Sequence, residues 1–448
     1  MKLNLNSPTL KFSVSGLRGV YPDDINPENA TAIIAAFEAT IGKGGIAIAR
    51  DNRPTGAALE DIVSGSLAAL GRNVYKCGII PTPTLKAFIN KEKLAGGIMI
   101  SASHNPIQYN AFKFIKKQGY FFEKTENDKF IAALKKGSSW GSYQKQGSLY
   151  QSKETSSALH IESILSNMPK VQSPKKIKVA IDTLGACATD IVPMFLDKMN
   201  IPWVSLFPKI LPGFPRGPEP VPSALKKLGK FVTENRCDIG FAFDPDADRL
   251  ALVNANGQPL GEELTLPLAM SQALLTQKGN VVVNLSTSYY NNIVAESLGS
   301  KVIRSEVGEA NVVSTMIKSK AIFGGEGNGG VIDPQIPSFG RDSLSGIAWI
   351  LQILRSGLSI DNIISNWPRL HMKKMAVPGD KKMYKLYAQK LKKELKGWHL
   401  DVRDGFHFSA PGGLPWIHLR PSNTEPVIRI IAESDKPTDI QKLFSFFK

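Results

Sequence analysis

Short apolar runs alternate along this chain with longer stretches whose apolar residues recur every three or four positions. The short runs read as buried strands and the longer stretches as helices. The pattern therefore predicts α/β units built on parallel sheets. Strands are expected at 45–49, 74–77 and 97–100, with a helix at 57–70 that Gly71 ends. The Ser-, Gln-, Gly- and Lys-rich stretch 137–157 marks a boundary. A second block opens with a strand at 177–181 and carries another at 238–243. Asn256-Gly257 is a hairpin signal, since both residues tolerate the positive φ of a tight turn. A third block starts near it, with strands at 281–284, 302–305 and 322–324 and a last clear helix at 342–354. Residues 366–380, with two prolines, read as a linker. A basic helix, strands at 416–419 and 427–432 and a final helix complete the chain. The expected division is 1–150, 151–255, 256–368 and 369–448, and the similar character of the first three blocks hints at internal repetition.

The 448 residues, 42% hydrophobic and 21% charged, are ordinary for a globular protein and provide several cores. A net charge of +16 attracts anions: nucleic acid, anionic membrane surfaces or phosphorylated metabolites. Much of it lies in 381–396, where Met383, Leu386, Tyr387 and Leu391 recur at helical spacing. That segment reads as an amphipathic helix with a solvated basic face, and no nucleic-acid-binding module accompanies it. Cys77, Cys187 and Cys237 are odd in number and far apart, which argues against a disulfide framework or a zinc site. Residues 1–16 lack a signal-peptide pattern, and no apolar run nears the roughly 18 residues of a membrane span. A cytoplasmic protein without nucleic-acid or membrane partners is expected.

Five segments carry candidate chemistry. Ser101-Ala102-Ser103-His104-Asn105-Pro106 follows a predicted strand, where α/β sheets place ligands. His104 and Asn105 can hydrogen-bond phosphate oxygens, although such a segment is also an ordinary turn. Asp244-Pro245-Asp246-Ala247-Asp248-Arg249 follows another strand. Its three alternate carboxylates can converge on one hard cation, and Arg249 beside them suggests phosphate as well. An EF-hand is excluded, because Arg249 and Ala255 stand where its Gly and Glu are needed. In Gly324-Gly325-Glu326-Gly327-Asn328-Gly329-Gly330 the glycines permit close approach to a ligand, and Glu326 can accept hydrogen bonds from sugar hydroxyls. Arg420-Pro421-Ser422-Asn423-Thr424-Glu425-Pro426, with Arg429 beyond it, offers guanidinium groups, hydroxyls and backbone N–H groups for a phosphate. Ser15-Gly16-Leu17-Arg18-Gly19 presents one further arginine.

The order and spacing of these segments resemble the α-D-phosphohexomutase family over nearly the whole chain. That family includes phosphoglucomutases, phosphomannomutases and phosphoglucosamine mutases. The resemblance implies three related α/β domains and a smaller C-terminal α+β domain around a central cleft. It implies that Ser103 carries the phosphoryl group and that Asp244, Asp246 and Asp248, with an oxygen on Ser103, hold Mg²⁺. Arg18, Arg249 and His104 would face the phosphoryl group, and Lys113 would move a proton. Glu326 and Asn328 match the sugar-binding loop. Arg420, Ser422, Asn423, Thr424 and Arg429 match the loop for the non-transferring phosphate. The implied activity interconverts hexose 6- and 1-phosphates through a bisphosphorylated sugar, which also serves as activator, in a monomer or homodimer.

The chain departs from the family pattern in three places. Gly330 replaces a frequent histidine to which an acid/base role is often given, Asn423 stands where Gly is frequent, and Pro245 stands where Gly is common. Residues 307–311 and 326–330 look most like bacterial phosphoglucosamine mutases, with phosphomannomutase or phosphoglucomutase as the alternative. Asp244 and Asp246 also fit the Asp-x-Asp spacing of a haloacid-dehalogenase-type phosphatase, which would leave the Ser103 and Arg420 loops unexplained.

Overall fold

A computed structural model describes residues 7–13, 16–137, 145–171, 174–421 and 427–447. Chain contacts divide it into two discontinuous units: Met1–Thr265 with Asn328–Gly357, and Leu266–Gly327 with Leu358–Lys448.

The first unit holds two sheets. The larger has seven strands, in the spatial order Lys11–Ser13, Gly16–Val20, Tyr109–Lys116, Gly96–Ile100, Ile46–Arg50, Val74–Ile79 and Leu149–Gln151. The last four are mutually parallel; the apolar runs predict three of them, whereas the exposed Leu149–Gln151 falls in the stretch read as a boundary. Gly16–Val20 and Tyr109–Lys116 extend the sheet antiparallel. Gly96–Ile100 is buried at every position, so it reads as an unbroken apolar run. On one face, Phe37 stacks on Phe114 and Phe122 at 5.3 and 5.8 Å within a core that also holds Phe112 and Phe130. Each such ring contributes roughly 1.5–3 kcal/mol through burial.

The second sheet is ordered Leu250–Asn254, Ile239–Phe243, Val179–Asp182, Trp203–Ser205. Its last three strands are parallel, and Leu250–Asn254 returns antiparallel beside Ile239–Phe243. The Asn256-Gly257 signal marks a real turn, with Gly257 at φ +76°. Beyond the turn the chain pairs back through a single bridge, Val253 with Pro259, in which the N–H groups of Asn254 and Leu260 donate to the carbonyls of Gln258 and Leu252 at 3.0 and 2.9 Å. The helix Ser343–Arg355 is capped by Asp342, which accepts from the N–H groups of Leu344 and Ser345.

In the second unit, Lys301–Ser305, Asn280–Asn284 and Phe323–Glu326 form a parallel array. A separate five-stranded antiparallel sheet is ordered His371–Pro378, Val427–Ser434, Trp416–Pro421, Phe406–Ser409, His399–Asp401. Helices Lys381–Glu394 and Pro437–Ser445 share its core of Leu391, Ile417, Leu419, Ile430 and Phe444. The fold is therefore three α/β sheets and a smaller sheet-rich C-terminal part.

Two sequence expectations are corrected here. Residues 371–378 are an edge strand of this sheet, paired from His371↔Ser434 to Pro378↔Val427, and not part of a linker. An edge strand needs only one apolar face; Met375 and Val377 reach the core while Lys373 and Lys374 are exposed, and Pro378 sits at the strand end. In the basic helix, Met383 and Leu386 are 40% and 61% exposed. The buried stripe is Ala388 and Leu391 with the half-buried Tyr384 and Tyr387, one helical step round from the predicted face. No helix among the described residues is long and apolar enough to cross a membrane.

Candidate active site

Ser103 sits in the loop between Gly96–Ile100 and Tyr109–Lys116, at φ +49°. A non-glycine residue in that region needs support from its surroundings. Arg53, 1% exposed, supplies it. Its guanidinium donates to the carbonyl oxygens of Ser103 and Asn105, both at 2.7 Å, and of Pro106 and Tyr109 at 2.6 and 2.8 Å. Its Nε donates to Asp51 at 3.1 Å, and Ser101 Oγ donates to the same carboxylate at 2.6 Å while accepting from the Ser103 N–H. Burial raises the Asp51 carboxyl, and the charge of Arg53 opposes that shift. Neither Arg53 nor Asp51 belongs to a motif singled out in the sequence; only the fold brings them to the serine loop.

The loop after Ile239–Phe243 meets this serine. Ser103 Oγ donates to Asp244 Oδ2 at 2.8 Å, across 141 positions of sequence. Asp244, Asp246 and Asp248 are fully buried, and one oxygen from each lies within 4.8 Å of the others. Asp244 Oδ1 also accepts from the N–H groups of Asp248 and Arg249, both at 3.2 Å. Lys113 and Thr82 both donate to Asp246 Oδ2, and Arg341 donates to Asp248 Oδ2 at 2.5 Å. Lys113 arrives on Tyr109–Lys116, in register with Met99 on the strand that leads to Ser103. Asp246 Oδ1 and Asp248 Oδ1 have no hydrogen-bond partner. Two orphaned carboxylate oxygens in a buried triad fit a hard divalent cation, which accepts oxygen ligands of this kind. Pro245 is accommodated: its carbonyl accepts from the Cys187 N–H at 3.2 Å.

The electrostatics are those of a crowded anionic centre ringed by cations. Burial, then Asp248 and Asp246, hold the Asp244 carboxyl well above the usual range. Burial also raises Asp246, but Lys113 and Thr82 outweigh it and leave that carboxyl depressed. Burial raises Asp248 despite Arg341. Burial alone would lower Lys113, yet Asp246 and Asp248 keep it above the ordinary lysine value and therefore charged. His104 Nδ1 is 3.4 Å from Ser103 Oγ. The charge of Arg249, then burial, then Arg18 and Arg341, push the imidazole well below its usual pKa, so it is neutral near pH 7. Arg18 donates to Asn105 Oδ1, and Arg249 pairs with Glu219 at 2.8 Å. The first unit thus brings together Ser103, His104, Lys113, Arg18, Arg249 and the three aspartates, along with Asp51, Arg53, Thr82 and Arg341. Asn328 lies in the same unit with its side-chain oxygen buried and unpartnered.

The second unit holds Glu326, Arg420 and Arg429. Glu326 Oε1 accepts from Asn284 Nδ2 at 2.8 Å and from the Gly308 N–H at 2.9 Å, which fixes its carboxylate. Arg420 pairs with Asp404 at 3.0 Å and stands directly opposite Arg429 across the Trp416–Pro421 and Val427–Ser434 strands. Like charges opposite one another are destabilising, and an anion would relieve them. Ser422, Asn423 and Thr424, between these arginines, lie outside the described residues, as does Ser15.

Comparison with known proteins bears directly on this arrangement. The descriptions "Phosphoglucomutase/phosphomannomutase, alpha/beta/alpha domain" I, II and III match residues 9–139, 158–257 and 264–370 in order. The chain belongs to the α-D-phosphohexomutase family. A "Probable phosphoglucosamine mutase" of Methanopyrus kandleri is 30% identical over 440 residues, covering 96% of this chain and 95% of that protein. A "Phosphoglucomutase/phosphomannomutase" of Thermococcus kodakarensis is 31% identical over 438 residues, covering 94% of each. A crystal structure of a phosphoglucomutase/phosphomannomutase family protein from Burkholderia thailandensis shares the fold, with a TM-score of 0.84 at 21% identity over 98% of this chain and 97% of that one. The phosphohexomutase is thus an isomerase, an intramolecular phosphotransferase. No finding supports a phosphatase.

Proposed function

We propose that this phosphohexomutase interconverts glucosamine 6-phosphate and glucosamine 1-phosphate, with Ser103 as the phosphoryl carrier. The observation that carries the reading is the 2.8 Å contact between Ser103 Oγ and Asp244 inside a buried aspartate triad. A hydroxyl at a triad that fits a divalent cation, among arginines, is suited to phosphoryl transfer, which depends on positioning and charge stabilisation. Asp244, Asp246, Asp248 and an oxygen on Ser103 would hold Mg²⁺, which when bound offsets negative charge on the transferring group.

In the forward half-reaction a sugar hydroxyl attacks the phosphorus of phosphorylated Ser103. The P–O bond to the sugar forms as the bond to Ser103 Oγ breaks. The hydroxyl proton passes to solvent water, and the departing serine oxygen takes one up from a donor that solvent then reprotonates. Lys113, held as an ammonium by its carboxylate neighbours, is assigned the proton donor's part. Arg18 and Arg249 face the phosphoryl oxygens, and neutral His104 offers a hydrogen bond without adding charge. Glu326 and Asn328 bind sugar hydroxyls. Arg420, Arg429 and residues 422–424 grip the phosphate that is not being transferred. The bisphosphorylated sugar then turns round and returns its other phosphate to Ser103. A hexose bisphosphate from solution would restore Ser103 when its phosphate is lost.

The glucosamine assignment draws on residues 307–311 and 326–330 and on the Methanopyrus kandleri relative. The Thermococcus kodakarensis relative favours glucose and mannose phosphates as the second reading. The test compares turnover of glucosamine, glucose and mannose phosphates by the purified protein with Mg²⁺ and a trace of bisphosphate. Glucosamine phosphate should give the highest kcat/KM; a preference of tenfold or more for another hexose refutes that choice. Ser103→Ala should remove turnover and protein phosphorylation while leaving the circular dichroism unchanged. A Ser103→Ala protein with full turnover refutes the phosphoserine.

A further inference from the structure

Gly330 opens the short strand Gly330–Ile332, where the family often has a histidine. Its backbone lies outside the positive-φ region that L side chains avoid, so conformation does not demand glycine. Volume does. A Cβ at 330 would stand 2.7 Å from Arg341 Cγ, closer still to Arg341 Cδ, and 3.0 Å from Asn328 Oδ1. The Arg341 stem therefore runs through the space in which a side chain at 330 would begin. That stem is not free to swing aside, because its Nη2 is tied to Asp248 Oδ2 at 2.5 Å. Arg341 is 93 positions from Asp248 in sequence, its side chain is only 12% exposed, and its charge is felt at His104 and Lys113.

We propose that Arg341 is a positioning residue of the active site, seated in the space left by glycine at 330 and holding Asp248 by one oxygen so that the other stays available. Glycine at 330 and arginine at 341 form a coupled pair; neither works without the other. The inference rests on the reading of Ser103 and the aspartates as the phosphoryl-transfer centre.

The pair is tested with Gly330→Ala, Arg341→Ala, Arg341→Gln and the two double variants, measuring kcat and, by calorimetry without substrate, Mg²⁺ affinity. Gly330→Ala should lower kcat about tenfold in the native and Arg341→Gln backgrounds, where stem atoms at Cγ and Cδ remain. It should cost less than about twofold beside Arg341→Ala, where they are gone. Arg341→Gln removes a cation next to the triad, so it should bind Mg²⁺ roughly tenfold more tightly while turning over more slowly. That split between metal affinity and kcat is not what a purely structural role produces. An equal loss from Gly330→Ala in all three backgrounds overturns the coupling. Unchanged or weaker Mg²⁺ binding by Arg341→Gln overturns the charge role, even if Gly330→Ala fails to fold. Native protein without Ser103-dependent turnover would instead defeat the underlying functional reading, which the calorimetry does not use.

Discussion

Replacing Arg53 with methionine keeps most of the side-chain volume and removes the charge and the fork. Four carbonyl oxygens of the serine loop and one carboxylate lose a donor at once. Breaking a buried ion pair by removing one partner costs about 3–5 kcal/mol. Each carbonyl left unsatisfied adds roughly 1 kcal/mol or more, reduced where the loop relaxes into water. The ion pair and four carbonyls sum to about 7–9 kcal/mol, which relaxation of the loop lowers toward about 5 kcal/mol, still a large share of the ~5–15 kcal/mol that stabilises a typical domain. The unfolding midpoint should fall by roughly 10–20 °C. Without its carbonyl clamp, Ser103 leaves φ +49° and its Oγ moves from Asp244, so kcat should drop about 100-fold even where the protein stays folded. Arg53→Lys retains the charge beside Asp51 but cannot reach four carbonyls, and should fall between the two in both readouts. Differential scanning calorimetry and steady-state turnover decide the matter. A methionine variant melting within 3 °C of the native protein, or turning over within about twofold of it, refutes the clamp.

Asp246→Asn should weaken Mg²⁺ dependence and activity together, because one metal oxygen and the counter-charge to Lys113 are lost; an unchanged metal titration would argue against the triad as the ion's seat. Acid should weaken the second unit before carboxylates protonate. Burial holds His418 at about 4, so below its ordinary value of 6.5 the unfolded chain gains a proton that the folded chain refuses. Stability attributable to His418 is therefore complete above pH 6.5 and declines as pH falls toward 4, by about 3 kcal/mol in all. Urea unfolding of the native protein and His418→Gln across that range measures it, and an equal acid sensitivity in both would contradict the assignment.

How much of this was legible beforehand differs from residue to residue. Ser103 and the Asp244 loop announce themselves because their chemistry is local: an apolar strand, then polar groups at its end, with carboxylates on alternate residues. Asp342 reads as a helix start for the same reason, since a cap and its helix are adjacent in sequence. The register of the basic helix was legible only approximately, because Tyr384 and Ala388 join Tyr387 and Leu391 in its buried stripe while Met383 and Leu386 point outward. The 371–378 strand escaped notice because an edge strand shows one weak apolar face and ends in proline.

The amino-acid order by itself determined the apolar strands that lead into the motif-bearing loops, those loops and the chemical repertoire, since each depends on neighbours a few residues apart. Tertiary structure alone decided that Arg53 would clamp the serine loop and that Thr82 and Lys113 would share one oxygen of Asp246. It also decided that Arg341 would fill the space over Gly330. These partners lie from 11 to 164 positions apart. No periodicity connects them, and burial in one common core makes each depend on the others.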